Sequence, residues 1–114
     1  RDPGQYDALK MRILPGIIEA RKNSRRLRMW SAASSSGQEA YSLAMMLLEM
    51  NLGDWNIEIV GTDLSEQILD RARTGRYLQI EVNRGLPVSC LVKYFSRQGL
   101  EWQLSDRVRR MVQF

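Results

Sequence analysis

The sequence is poor in the residues that build metal sites and disulfides, since its 114 residues include no histidine and one cysteine, Cys90. A single cysteine cannot form an internal disulfide, and without histidine a zinc site is effectively excluded. No stretch approaches the ~20 apolar residues of a membrane span, and the first four residues do not resemble a secretion signal. We therefore expect a cytoplasmic protein that binds no metal and does not insert into a membrane.

Acidic residues are outnumbered: 17 Lys and Arg stand against 13 Asp and Glu, which gives a formal net charge of +4. A basic excess raises nucleic acid as a partner. The densest basic stretch, residues 21–28, lies between a predicted helix and a predicted strand, where a solvated charged connection is the commoner explanation. We therefore expect no nucleic-acid partner, with RNA binding through this stretch as the alternative.

The hydrophobic pattern predicts one domain of alternating helices and strands. Helices are predicted over residues 6–20, 38–50, 65–74 and 86–95. Strands are predicted over residues 27–33, 55–62 and 100–104, and residues 108–114 contain an alternating, strand-like end. The first helix is expected to bend at Pro15. The second is apolar on nearly every face, so it must be buried on more than one side. This order predicts an α/β fold, the opening of a doubly wound parallel sheet.

Two features follow the first two predicted strands, where an open parallel sheet binds its ligands. The loop over residues 32–37 consists of Ala, Ser and Gly, so a ligand can approach its backbone, and the next helix presents N–H groups there. Asp63 follows the second strand, and its carboxylate can accept hydrogen bonds from both hydroxyls of a ribose. The pair predicts a site for a nucleoside cofactor.

The loop lacks the G-x-G-x-x-G pattern that brings a backbone close to a pyrophosphate. A cofactor without phosphates tolerates serines, which favours S-adenosylmethionine over NAD. A structural explanation remains open for the same residues. Ser36 and Glu39 match a helix capping box, and Asp63 or Ser65 could cap the following helix. The spacing of these residues alone favours neither helix capping nor ligand contact, so both explanations stay open.

Two longer blocks of sequence resemble the CheR-type chemotaxis-receptor glutamate O-methyltransferases. Residues 30–45 read W-S-A-A-S-S-S-G-Q-E-A-Y-S-L-A-M, similar to the family pattern W-S-A-A-x-S-T-G-E-E-P-Y-S-x-A. Residues 61–65 read G-T-D-L-S. The resemblance continues at residues 1–3, 72–77, 84–87 and 93–95. The chain departs from the pattern at Ser36, Gln38 and Ala40, but Ser36 keeps a hydroxyl and Glu39 keeps the second acid.

The resemblance implies a methyltransferase that uses S-adenosylmethionine and releases S-adenosylhomocysteine. It implies a cofactor site formed by Arg1, Ala33, Ser34, Glu39, Asp63 and Leu64. In that site Asp63 holds the ribose and Glu39 lies near the methionine end. Arg1 is the candidate catalytic residue, beside the transferred methyl group and the acceptor carboxylate.

The family has a helical domain before the position of Arg1 and further strands after that of Phe114. The resemblance therefore implies that residues 1–114 are a single partial domain, the N-terminal half of a Rossmann-like sheet. Such a fragment is expected to be inactive alone. A half-sheet also leaves an unpaired edge, so a homodimer of the fragment is a further expectation.

The implied reaction transfers a methyl group to glutamate side chains in the cytoplasmic domain of a chemoreceptor and gives methyl esters. A glutamate with a pKa of about 4.3 is already anionic at neutral pH, so the reaction needs no general base. Two alternatives remain open: a methyltransferase that uses the same cofactor but acts on RNA or a small molecule, and a non-catalytic interaction module that retains the fold.

Overall fold

The computed structural model of the chain describes residues 8–83 and 86–114. The strands are β1 Arg26–Ser31, β2 Asn56–Gly61, β3 Arg76–Leu78, β4 Phe95–Gln98, β5 Glu101–Leu104 and β6 Val112–Gln113. The α-helices are α1 Leu14–Arg21, α2 Gln38–Glu49, α3 Glu66–Thr74, α4 Gln79–Val82, α5 Val88–Tyr94 and α6 Asp106–Arg109. A π-helical turn, Leu9–Ile13, precedes α1.

Pro15 lies in the first turn of α1. The missing N–H of a proline is tolerated there, because first-turn N–H groups have no partner within the helix. The sequence predicts one helix bent at Pro15, whereas the structure has a π-helical turn that ends at Ile13 and an α-helix that begins at Leu14. The first two residues of the predicted helix, Tyr6 and Asp7, lie outside the described residues.

The first sheet is parallel and has the order β1-β2-β6. β1 and β2 pair over their whole lengths, and helix α2 connects them. The predicted α/β arrangement is confirmed, and the carboxyl ends of β1 and β2 lie side by side. Within the described residues β1 has a strand on one side only, so its other edge is open. The homodimer stays a prediction.

Helix α2 packs most of its surface into the core. Burying one side chain such as that of Met46 or Leu47 contributes about 1.5–3 kcal/mol. The prediction that this helix is covered on more than one side is confirmed. Its buried residues are Ala40, Tyr41, Ser42, Ala44, Met45, Met46 and Leu47.

A second, antiparallel sheet has the order β3-β5-β4. The sequence predicts only β5. β3 has three residues, and three of the four residues of β4 are exposed, so neither shows the apolar alternation by which a strand is recognised. Both are strands because β5 pairs with them.

The strand-like end predicted within residues 108–114 is confirmed by β6. Val108 belongs to helix α6, where it is fully buried, and only Val112–Gln113 pair with β2. A short apolar alternation does not distinguish a strand from one helical turn that turns a single valine inward. Within residues 8–83 and 86–114, every helix is too short or too polar to cross a membrane.

Candidate functional site

The loop over residues 32–37 leaves the carboxyl end of β1 with a strained backbone. Ala33 and Ser35 have φ angles of 53° and 52°, and Gly37 has a φ of 88°. A left-handed conformation at a residue other than glycine costs on the order of 1–2 kcal/mol. Such strain persists where the surroundings enforce it, and it concentrates at functional sites.

Hydrogen bonds from the end of β2 hold this loop. The backbone N–H of Ser34 donates to the carbonyl of Thr62 at 2.8 Å. The N–H of Ser35 donates to Oδ2 of Asp63 at 3.0 Å, and the N–H of Ser65 donates to Oδ1 of Asp63 at 3.0 Å. The structure therefore brings Asp63 to the loop, as the position of both at neighbouring strand ends predicts.

Asp63 is held in its ionised form. The N–H of Ser65, and after it the N–H of Ser35, lower the pKa of the Asp63 carboxyl below its usual value. The cap of helix α3 is Ser65, whose Oγ accepts from the N–H of Ile68 at 3.3 Å. Asp63 is thus free of the capping role that the sequence left open.

Helix α2 begins next to the loop without the capping box that the sequence left open as an alternative. Its N-cap is Gly37 rather than Ser36, and Gly37 has no side-chain oxygen to offer. Glu39 is exposed and sits in the first turn of α2. The structure therefore leaves the carboxylate of Glu39 at the surface of the site.

A groove of about 730 Å³ lies between the loop, the start of α2 and the turn before α1. Ala33, Ser34 and Glu39 line this groove. Asp63 and Leu64 are not among the residues that line the groove, and Leu64 is fully exposed. Arg1 lies outside the described residues. The structure thus brings together three of the six predicted contact residues along the groove, with Asp63 adjoining them.

Two serine hydroxyls in the groove wall have no hydrogen-bond partner among the described residues. Ser31 and Ser34 are 8% and 4% exposed, and the Oγ atom of each is buried without a partner. Leaving a buried hydroxyl unpaired costs about 1–3 kcal/mol. Unpaired hydroxyls, a carboxylate and a helix N-terminus form a donor and acceptor set that fits a polar, charged small molecule. Ser31 was not predicted from the sequence.

Sequence reasoning also missed Phe114, whose ring packs beneath the loop. A Cβ atom added to Gly61 would lie 2.6 Å from Phe114, and one added to Gly37 would lie 2.8 Å from it. The ring of Phe114 also packs edge-on against Tyr41, with centroids 5.3 Å apart. A glycine inside a predicted strand is a signal of such close approach, so Gly61 was the available indication.

Comparison with known proteins assigns the family. All residues 1–114 match the family described as CheR methyltransferase, SAM binding domain. The chain is 42% identical over 120 residues to chemotaxis protein methyltransferase 1 of Pseudomonas aeruginosa, and 40% identical over 121 residues to chemotaxis protein methyltransferase Cher2 of Pseudomonas putida.

Each of these alignments covers the whole of this chain and 43% of the relative, so the chain spans less than half the length of these relatives. A protein from Listeria monocytogenes named chemotaxis protein methyltransferase is 36% identical over 114 residues, with 42% of its length covered. The chain therefore belongs to the CheR methyltransferase family, within its S-adenosylmethionine-binding domain.

Proposed function

We propose that the protein containing this chain transfers a methyl group from S-adenosylmethionine to glutamate side chains of chemoreceptors. In this proposal residues 1–114 form the first half of the cofactor domain. The observation that carries the proposal is the contact between Asp63 and the Ser35 N–H at the ends of two neighbouring parallel strands. This contact puts an ionised carboxylate beside the loop where such a sheet binds a nucleoside.

Asp63 retains the capacity to bind the cofactor's ribose. A carboxylate offers about four acceptor positions, and the backbone N–H groups of Ser65, Ser35 and Leu64 use three of those of Asp63. The remaining position can accept from a ribose hydroxyl. Leu64, fully exposed next to it, is the proposed apolar contact on the same side of the cofactor.

The groove suits the methionine end of the cofactor, which carries an ammonium and a carboxylate. Glu39 is the proposed partner of the ammonium. The N–H groups at the start of α2 are donors for the carboxylate. The buried Ser31 and Ser34 hydroxyls would become donors by rotating toward the groove, and this pairing would satisfy the two hydroxyls that lack partners. Ala33 contributes a small side chain, so the cofactor can approach the backbone.

The cofactor supplies a methyl group activated by a sulfonium. The acceptor glutamate is ionised at neutral pH, so the protein does not need to remove a proton. The chain's residues align the acceptor oxygen with the methyl carbon and exclude water, effects that together are worth several kcal/mol. Arg1 is proposed to orient the acceptor carboxylate through paired N–H groups. The relatives' names indicate chemotaxis, and we propose the cytoplasmic domain of a chemoreceptor as the partner.

Calorimetric titration with S-adenosylhomocysteine tests the cofactor site. In the whole natural protein we expect Asp63→Asn to weaken binding by about ten- to a hundred-fold, the cost of hydrogen bonds to a charged group. Asp54→Asn is the matched control, because Asp54 lies before β2, at the opposite end of the strand, and pairs with Arg25 at 2.8 Å. Its affinity should equal that of the wild type.

A folded wild-type protein that gives no heat with S-adenosylhomocysteine favours the non-catalytic module and overturns the proposal. The substrate is tested separately by incubating the whole protein with S-adenosylmethionine labelled on its methyl group and a chemoreceptor cytoplasmic domain. We expect label on the receptor that mild base releases as methanol, as a glutamate methyl ester requires. If the label appears on RNA or on a small molecule and not on the receptor, the result favours the alternative of a methyltransferase that acts on RNA or a small molecule.

A further inference from the structure

Three consecutive residues of the loop over residues 32–37 are anchored by three different groups. The Ser34 N–H donates to the carbonyl of Thr62, and the Ser35 N–H donates to Asp63. The carbonyl of Ser36 accepts from the hydroxyl of Tyr77 at 2.6 Å. The first two anchors come from the end of β2. The third comes from β3, and therefore from the second sheet.

The position of the Tyr77 hydroxyl is set by dense packing. Tyr77 is the middle residue of β3, pairs with Trp102 of β5, and is 2% exposed. Its ring packs edge-on against Tyr41 of α2 and Phe95 of β4, with a centroid distance of 6.4 Å in each case. A side chain held on several sides presents its hydroxyl at one place.

The loop needs such an anchor because of its backbone. Ser36 lies between two left-handed residues, Ser35 and Gly37, and such conformations revert when nothing enforces them. A loop that spends part of its time in another conformation binds more weakly, in proportion to the fraction that is competent. Loss of the third anchor therefore lowers cofactor affinity even though Tyr77 does not line the groove.

We infer that Tyr77 is a positioning residue, through which the second sheet holds the cofactor loop in its binding conformation by the hydrogen bond to the Ser36 carbonyl. This inference rests on the proposed function, because it assumes that the loop binds the cofactor. It assigns the antiparallel sheet a role in cofactor affinity.

The test is Tyr77→Phe in the whole natural protein, which removes the hydroxyl and leaves the ring. Tyr41→Phe is a matched control. Tyr41 is also 2% exposed, belongs to the same aromatic cluster, and donates from its hydroxyl to a backbone carbonyl, that of Ala72, at 2.7 Å. That carbonyl belongs to α3 and not to the loop. Both variants should lose similar stability in urea denaturation.

We expect Tyr77→Phe to raise the Kd for S-adenosylhomocysteine by about three- to ten-fold, and Tyr41→Phe to leave it within about two-fold of the wild type. An unchanged Kd in Tyr77→Phe overturns the inference and leaves the proposed function intact. Equal weakening in both variants also overturns it, since a general loss of stability then explains the effect.

Hydrogen exchange separates the inference from the proposed function, because it needs no cofactor. The amides of Ser35 and Gly37 are hydrogen-bonded within the site, and we expect both to exchange faster in Tyr77→Phe than in Tyr41→Phe. Equal rates in the two variants count against a positioning role. A wild type that binds no S-adenosylhomocysteine removes the proposed function, while the exchange result still decides whether Tyr77 anchors the loop.

A second variant covers the case in which Tyr77→Phe does not fold. Phe95→Leu removes a ring that packs against Tyr77 and keeps the Tyr77 hydroxyl. We expect a smaller rise in Kd and faster exchange at Ser35 and Gly37. Wild-type values for both quantities in this variant contradict the inference.

Discussion

The carboxylate of Asp63 accepts a 3.0 Å hydrogen bond from the backbone N–H of Ser35, so an acid that follows β2 holds the loop that follows β1. The other oxygen of the carboxylate accepts from the N–H of Ser65, just before helix α3. Asp63 thus joins three segments of backbone at the end of the sheet where a nucleoside would bind. Substitutions at Asp63 are expected to affect both the fold and the site, and measurements must separate the two effects.

The first prediction concerns acid stability. The folded state lowers the pKa of Asp63, so its carboxylate stabilises the fold above its ordinary pKa of about 3.9, and this contribution is lost as pH falls through the lower folded value. In urea denaturation, we expect the difference in free energy of unfolding between the wild type and Asp63→Asn to be constant above about pH 5 and to shrink below about pH 4. A difference that stays the same at all pH values contradicts the assigned hydrogen bonds.

The second prediction separates stability from binding at Ser34. Since its buried hydroxyl has no partner among the described residues, we expect Ser34→Ala to keep or raise the free energy of unfolding, by up to about 1 kcal/mol. The affinity for S-adenosylhomocysteine should fall by about three- to ten-fold, because the cofactor loses a donor.

Ser105→Ala is the control for this pair of effects. The hydroxyl of Ser105 is also buried without a partner among the described residues, but it lies at the start of α6. We expect Ser105→Ala to keep or raise the free energy of unfolding, as Ser34→Ala does. Its affinity for S-adenosylhomocysteine should equal that of the wild type. A Ser34→Ala variant that binds as tightly as the wild type removes Ser34 from the proposed site.

The third prediction concerns the close approach of Phe114 to β2. A Cβ at Gly61 would lie 2.6 Å from the ring of Phe114 and 3.2 Å from Cβ of Ser34. We expect Gly61→Ala to lower the free energy of unfolding by about 1–3 kcal/mol through overpacking. Chemical denaturation provides the measurement.

Gly16→Ala is the matched control for Gly61→Ala. Gly16 lies within α1, and a Cβ there meets no atom within 4 Å. Since alanine favours a helix over glycine, we expect this variant to gain up to about 1 kcal/mol. If both variants gained stability, local propensity rather than contact with Phe114 would explain the effect at Gly61.

The fourth prediction addresses RNA. Three cations of the basic stretch over residues 21–28 form ion pairs: Lys22 with Glu19, Arg25 with Asp54, and Arg28 with Glu58. We expect only non-specific RNA binding, with a Kd of about 10 µM or weaker at physiological salt. Fluorescence polarisation over a salt series checks this expectation. Tight binding that Arg26→Ala weakens would favour the RNA methyltransferase.

Local sequence was sufficient to predict β1, β2 and the helix between them, and to expect Asp63 beside the loop over residues 32–37. The apolar run of α2 and the strands on either side of it carry their own periodicity, and parallel strands joined by a helix bring their carboxyl ends together. Ser34 and Asp63 therefore had to be neighbours once the pairing of β1 with β2 was assumed. The structure confirms that pairing.

Local sequence was not sufficient to predict the second sheet or the support of the loop. β3 and β4 are too short and too polar to show a pattern, and the hydrogen bond from Tyr77 to Ser36 joins residues that are distant in sequence. No local rule connects such residues.

The sequence by itself determined β1, β2, the helix between them and the family, and it led to the strand ends where we propose that the cofactor binds, because these depend on short-range periodicity and on motifs of adjacent residues. Only the tertiary structure decided that Ser31 and Ser34 lack hydrogen-bond partners among the described residues, that Phe114 lies beneath the loop, and that Tyr77 anchors it. Those features depend on contacts between residues that are distant in sequence, and only the packing of the folded chain determines which of these contacts form.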